Sequence, residues 1–452
     1  MSDTVEQERE ARERVFAAAA LADDLVLRQE TAHLHPADIA EILDQLDDDN
    51  ERLSVFSVLD DDRAAEVISD VGESARAALL ARLADAHIAA LLEGLDSDDA
   101  ADLLGELPED RKLMLLHRAD PETRRDVQGL LSYPDDSAGG IMKTEVASVD
   151  IGTTVRQVRT YLRQHRDDFH DIHNVFITDH KKKLVGYVPV RNLVMADDGS
   201  SVDEILLSDL VSVSATVDQE EVAHLFEKYD LLSLPVVDAA ELLVGRITVD
   251  DVVDVIEEEA TEDMLKMAGV GDEPLGLHGP VKALRTRLPW LGLNLMTATV
   301  SAAAVSLFQD TIHQVAIAAA FMTVVASQGG NAGVQTMTMV VRGLVLGELS
   351  PHNTRRIVIR ELTIALLNGT VLGSVAAATV YAWTRDVRLA SVMATAMIIN
   401  MLIAAALGTL VPMGLRRLGA DPAVASSVFV TAGTDMLGFL VFLGLLSVAL
   451  GI

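Results

Sequence analysis

The chain has 452 residues, half of them hydrophobic, and a mean hydropathy of +0.27, yet 69 acidic against 36 basic side chains give it a net charge of −33. That length exceeds one core. The acidity excludes a nucleic-acid binder or a protein docked on anionic headgroups, which need basic surfaces, and the lack of cysteine excludes disulfides and thiolate metal sites. Apolarity and charge are divided along the chain. Residues 281–452 hold 11 basic and 6 acidic side chains, net +5, which leaves residues 1–280 with 25 and 63, net −38. An acidic soluble part is therefore joined near Pro280 to an apolar part.

The first residues, MSDTVEQEREARERVF, are charged and contain no apolar core of a secretory signal, so the soluble part is expected in the cytoplasm. Residues 1–30 begin as a charged helix. From 31 to 133 short amphipathic helices are predicted, with a loose repeat in ADIAEILDQL (37–46), DRAAEVISDV (62–71) and DDAADLLGEL (98–107). Asp98 and Asp102 are four apart, on one helix face, where like charges repel unless a cation lies between them. PDDSAGGIMKT (134–144) marks a linker.

Helices and strands then alternate. Two β-β-α units are predicted, with strands NVFITD (174–179) and KLVGYVPV (183–190) in the first, LSLPVVD (232–238) and LLVGRITV (242–249) in the second. The following helix, DDVVDVIEEEATED, crowds acids on its faces, Asp251, Asp254 and Glu258 on one and Glu259, Glu262 and Asp263 on another. A lone helix so charged repels itself, and divalent cations would relieve it. A connecting helix is expected to follow, broken by GVGDEPLGLHGP, and to bring Lys282, Arg285 and Arg287 to a membrane surface.

Five apolar segments are expected to cross a membrane, at about 289–309, 312–341, 361–383, 388–414 and 423–450. A basic loop RRIVIR (355–360), together with Arg416 and Arg417, falls on the inside, with short outside loops at 309–313 and 384–388. Five crossings leave the C-terminus outside. The last segment holds one carboxylate, Asp435, with no Lys or Arg near it, and Ser427, Thr431 and Gly438 share its face. An acid at mid-membrane costs at least about 2.5–3.5 kcal/mol, so it normally faces a pathway or a partner. The second segment, VVASQGGNAGVQTMTMVVRG, sets Ser327, Asn331, Gln335 and Thr338 at helical spacing beside Gly329, Gly330 and Gly333. Carboxylate, amide and carbonyl oxygens suit Mg2+, which sheds water reluctantly.

VFITD…LVGYVPVRNL and LPVVD…LVGRITVDDV resemble paired CBS domains. In such modules a Gly-h-h-Thr/Ser-x-x-Asp run holds a nucleotide ribose, which implies ATP at Gly245, Thr248 and Asp251; the first unit departs from the run with Pro189 and Asn192. As a whole, with EEEATED, SQGGNAGVQ, LRRLGADPAVAS and the last-segment Asp, the chain from about residue 31 resembles the MgtE family of magnesium transporters and channels.

The resemblance implies a multidomain membrane protein that works as a homodimer. It comprises an α-helical N domain (1–133), tandem α+β CBS domains (134–260), a connecting helix (261–288) and a five-helix transmembrane domain (289–452). Its function would be Mg2+ uptake across the cell membrane through a pore at Asp435 and Asn331, with Ser327, Gly330, Thr431 and Ser427 beside them. Mg2+ would also regulate the path at Glu66, Asp98, Asp102, Asp218, Glu220, Asp230, Asp251, Asp254, Glu259, Glu262, Asp263 and Asp421. Two other readings stay open: a coupled transporter of Co2+, Mn2+ or Ni2+, and a membrane-anchored divalent or nucleotide sensor that conducts nothing. No nucleophile–base set or phosphate loop suggests an enzyme.

Overall fold

The structure, a computed structural model, describes residues 2–166, 169, 172–270, 280–345, 349, 353–423 and 426–451. It divides into two units, 1–257 and 258–452.

The first unit opens with ten helices, α1 (Ser2–Leu21) to α10 (Pro121–Leu130). The three repeat segments form α3 (Pro36–Gln45), α5 (Asp61–Asp70) and α8 (Ser97–Gly105). Some of the acids have a local cause. Asp23, Asp48 and Asp60 precede helices and accept their first free amides, a cap worth about 1 kcal/mol. Two arginines repeat one role: the Arg63 guanidinium donates to the Thr31 and Leu34 carbonyls at 2.9 and 2.5 Å, and Arg111 to those of Leu80 and Leu83 at 2.5 and 2.7 Å. Each satisfies the carbonyls that a helix C-terminus leaves open.

Two three-stranded sheets follow. β1 (Ser148–Asp150) pairs parallel with β2 (Asn174–Thr178), which pairs antiparallel with β3 (Leu184–Pro189). β4 (Val213–Ser214), β5 (Ser233–Val237) and β6 (Leu243–Thr248) repeat that order. The hairpins match the predicted strands; β1 and β4 were not expected, being too short to show alternation. Pro235 is tolerated within β5 because β4 pairs only with Val236 and Val237, so no ladder partner waits for an amide there. One buried apolar cluster runs from the N-terminal helices into the second β-β-α unit, through Leu104, Ala138, Met142, Leu234 and Val255. The first β-β-α unit has a core of its own around Val158, Val175 and Val188.

Helix α14 (Val249–Ala268) is continuous through EEEATED. Most of the expected GVGDEPLGLHGP break lies outside the described residues, as does the side chain of Lys282.

In the second unit the long helices are α15 (Pro280–Ser306), α17 (Ala318–Val345), α18 (Thr354–Thr384), α19 (Val387–Arg417) and α20 (Ser426–Leu450). Among the described residues four, α15, α18, α19 and α20, are long and apolar enough to cross a membrane. α17 has the length, but SQGGNAGVQT interrupts its apolar run. Two local expectations are corrected. RRIVIR is the first turns of α18 rather than a loop, since nothing in it breaks a helix, and 309–314 form a short helix, α16, rather than an open loop. Glycines let the helices meet closely: a Cβ on Gly408 would lie 2.6 Å from the Gly333 carbonyl, and one on Gly369 2.9 Å from the Ile398 Cα.

Candidate functional site

The polar residues of α17 and α20 face one cleft of about 380 Å3. Ser327, Gly330 and Asn331 line it from α17, and Thr431 and Asp435 from α20, with Thr323 and Phe439 at its ends. α17 runs unbroken, so its glycines serve close approach rather than opening the backbone: a Cβ on Gly333 would meet Val430 at 2.6 Å. Asp435 is half-buried, while Ser327 and Asn331 lie exposed along the rim. Ser427 is not in the cleft. Its hydroxyl donates to the Met267 carbonyl at 2.7 Å, tying α20 to the end of α14. Gln335 and Thr338 also lie outside the lining; the Thr338 hydroxyl turns back to the Val334 carbonyl at 3.0 Å.

One residue of this region escaped the sequence reading. Asn400, in the middle of α19, is fully buried; its amide donates to the Val325 carbonyl of α17 at 2.7 Å, and its Oδ1 finds no partner among the described residues. Cβ atoms on Gly329 and Gly438 would lie 2.2 and 2.9 Å from it. Asn400 is thus wedged between the two helices that line the cleft. A lone amide in an apolar run carries no periodic signal that would have found it.

The acids that the resemblance implies as regulatory fall into separate places. Asp98, at the start of α8, and Asp251, at the start of α14, surround the buried Lys143 together with Asp96 and Asp250. Burial works against the Lys143 charge, but these four carboxylates outweigh it and hold the ammonium above its usual range. Burial raises Asp98 well above the usual carboxylate range and pushes its neighbour Asp99 up to about 7, against the pull of Lys143. Asp102 is exposed, one turn further along α8.

In the second unit Lys266 Nζ contacts Glu262 and, at 3.1 Å, Asp421, while burial and the nearby Asp421 push Asp263 up to about 6, with Glu259 adding to the effect. Glu66 is exposed on α5. Asp254 is raised by burial and by the charges of Asp251 and Asp70. Asp218 and Asp230 stand at opposite ends of α13 (Gln219–Tyr229), the first as its N-cap, the second at a left-handed turn with φ 51°; Glu220 is in the first turn. Among the described residues no three His, Asp or Glu side chains are gathered as ligands of one bare ion.

The proposed ribose residues line neither the cleft at Asp435 nor the one in the first unit. The Thr248 hydroxyl donates to Asp251 at 2.6 Å, and Met142 Sδ would lie 2.5 Å from a Cβ on Gly245. A cleft of about 410 Å3 lies elsewhere in the first unit, lined by Thr144, Ser148, Asp150, Thr178, Lys182 and Val244 among others.

The chain is similar to known proteins over most of its length. The family model described as a divalent cation transporter matches residues 322–445, the MgtE intracellular N domain matches 34–136, and the CBS domain matches 138–199 and 202–258. The magnesium transporter MgtE of Thermus thermophilus is 34% identical over 440 residues, 93% of this chain and 94% of that protein. The chain belongs to the MgtE family.

Another MgtE relative, the magnesium transporter MgtE of Enterococcus faecalis, is 34% identical over 72% of each chain. Among solved structures, the cytosolic domain of the Mg2+ channel MgtE in complex with ATP is 36% identical with a TM-score of 0.51; the match covers 54% of this chain and 99% of that one. The soluble part of a magnesium transporter matches with the same TM-score at 29% identity, over 56% of this chain and 99% of that one. The helical N domain, the tandem CBS domains and the apolar helical region are thus those of an MgtE-type membrane protein.

Proposed function

We propose that the chain conducts Mg2+ across the cell membrane along the cleft between α17 and α20. The observation that carries this reading is the convergence of Asp435, Thr431, Ser327 and Asn331 on one space of about 380 Å3. An octahedral shell of about six waters at ~30 Å3 each needs roughly 200 Å3, so the cleft has room for a hydrated ion. Asp435 supplies the charge that draws the cation in, and the hydroxyl and amide groups accept from its waters.

In this proposal residues 1–133 form the N domain, 134–260 the CBS domains, 261–288 the connecting helix and 289–452 the membrane domain. α17 is the fifth, polar crossing. The N-terminus is cytoplasmic and the C-terminus outside, and two copies pair so that the exposed rim at Ser327 and Asn331 meets its counterpart. Cytoplasmic Mg2+ closes the path by drawing acids together. Glu259, Glu262, Asp263 and Asp421 are the best placed, since they already approach one another around Lys266. Glu66, Asp102, Asp218, Glu220, Asp230 and Asp254 supply further carboxylates. A ligand that favours one of two states shifts the balance by its difference in affinity.

Mg2+ flux into liposomes tests the reading. The wild type passes Mg2+ and Asp435→Ala does not. Equal flux in both overturns the pathway, cation binding without flux in the wild type supports the sensor, and proton-coupled Co2+ or Ni2+ flux supports the coupled transporter. A further ligand is favoured by the cleft of about 410 Å3 in the first unit, where Lys182 and the hydroxyls of Ser148 and Thr178 would suit ATP.

A further inference from the structure

We infer that in this chain the junction between the N domain and the second CBS unit is closed by a cation of its own, the Lys143 ammonium, and does not respond to Mg2+. The inference rests on the gating reading and narrows it, by taking Asp98 and Asp251 out of the ion-counting set. Lys143 is the only Lys or Arg between Arg125 and Arg156, and it falls in the linker that joins the two parts.

Its backbone is fixed to the CBS side. The Lys143 amide donates to the Arg246 carbonyl at 2.7 Å, and the Arg246 amide donates back to the Lys143 carbonyl at 2.9 Å. The next residue is fixed to the N domain, since the Thr144 amide donates to Ser97 Oγ at 2.8 Å. From that position Nζ reaches Asp96 and Asp251 at 3.2 Å, Asp250 at 3.7 Å and Asp98 at 3.9 Å. The Lys143 and Asp98 side chains are each only 10% exposed. Four carboxylates from the starts of two helices, α8 in the N domain and α14 after the second CBS unit, thus converge on one ammonium.

Mg2+ does not fit there as well. It requires an octahedron of oxygens at about 2.0–2.1 Å, whereas the ammonium already holds the centre of this cluster, and a second cation beside the first would be repelled. The lysine is also covalently attached, so it is present whatever the free Mg2+ concentration, as a tethered ligand is. The apolar cluster shared by the N-terminal helices and the second β-β-α unit then stays packed without a metal. Divalent sensing is left to the other acids of the gating reading, among them Asp263 and Asp421, whose neighbour Lys266 is less buried than Lys143 and can turn away.

Hydrogen exchange on the full chain in detergent, in chelator and in millimolar Mg2+, decides this without measuring transport. The wild type should protect 97–105 and 138–147 equally in both media. Lys143→Met should lose that protection in chelator by a few hundredfold or more, the scale on which breaking a buried ion pair acts, and regain it in Mg2+, while Lys143→Arg stays protected. Protection of β2 and β3, which have their own core, reports that the variant is folded. Wild-type protection that collapses in chelator overturns the inference, and that arm stands even if the variant does not fold. Lys143→Met protected like the wild type in both media, or unprotected in both, also overturns it. Failure of Mg2+ flux in liposomes would instead strike the transport reading.

Discussion

The Asn400 side chain of α19 donates across to the Val325 carbonyl of α17 at 2.7 Å and fills the space that Gly329 and Gly438 leave open. A hydrogen bond between membrane helices is worth about 0.6–1.7 kcal/mol, and overpacking a tight site costs about 1–3 kcal/mol. Asn400→Ala should therefore lower the thermal midpoint in detergent, and so should Gly329→Ala, whose new Cβ would fall 2.2 Å from Asn400 Nδ2. Combined, the two should cost less than their sum, because removing the amide makes room for the methyl. Strict additivity would mean that the two do not compete for one space.

Ser97 holds the linker to the N domain twice: its hydroxyl accepts from the Thr144 amide and donates to Glu145, both at 2.8 Å. Ser97→Ala leaves the Thr144 amide without its acceptor and takes one of several hydrogen bonds from the Glu145 carboxylate, a loss of about 1–3 kcal/mol in all. Urea unfolding followed by circular dichroism should show an earlier transition of the soluble part, with the apolar helices unaffected. A shift of zero would mean that water replaces the hydroxyl.

Glu106 gives a pH dependence with a definite sign. Burial raises its pKa above the usual glutamate value even though Arg76 Nε donates to it at 2.7 Å, and its Oε2 is buried without a partner among the described residues. Between the unfolded and the raised value the native chain keeps a proton that the unfolded chain has released, so this group's contribution falls as pH rises through that interval. Glu106→Gln should be more stable than the wild type at neutral pH. The gap should narrow as pH falls toward the usual glutamate value, read as the difference between the two urea midpoints. A gap independent of pH would remove Glu106 as the titrating group.

Lys182 stands at the lip of the cleft of about 410 Å3 with a left-handed φ of 63°. If ATP occupies that cleft, Lys182→Glu should weaken its binding by about tenfold, or about 1.4 kcal/mol, in calorimetry on the full chain. Thr248→Ala, away from the lining, should leave it unchanged. The opposite pattern would return the nucleotide to Gly245, Thr248 and Asp251.

What the sequence made legible follows from periodicity and from isolated chemistry. The repeat helices α3, α5 and α8 and the strands β2, β3, β5 and β6 show in the spacing of their apolar residues, and Asp435 stands out because nothing near it in the chain is charged. Lys143 was hidden for the opposite reason. A single lysine among acids in a linker looks like a solvated charge, and only the folded chain brings residues 96, 98, 250 and 251 to it. Asn400 escaped similarly, and Ser427 was placed beside the pore rather than on Met267, since their partners lie 75 and 160 residues away.

The glycine contact between α17 and α19 has a further consequence. Backbones that approach within the reach of a single Cβ, with Asn400 keyed between α17 and α20, leave those three helices little freedom to slide. By contrast only 6% of the span in α15 is buried within the chain, against 56% in α19. If ions pass at Asp435 as proposed, any widening or narrowing there falls to α15 and whatever packs on it, while the wall built by α17, α19 and α20 keeps a constant width. Discrimination between ions on that pathway would then depend on the chemistry of the wall's oxygens and not on how far it yields.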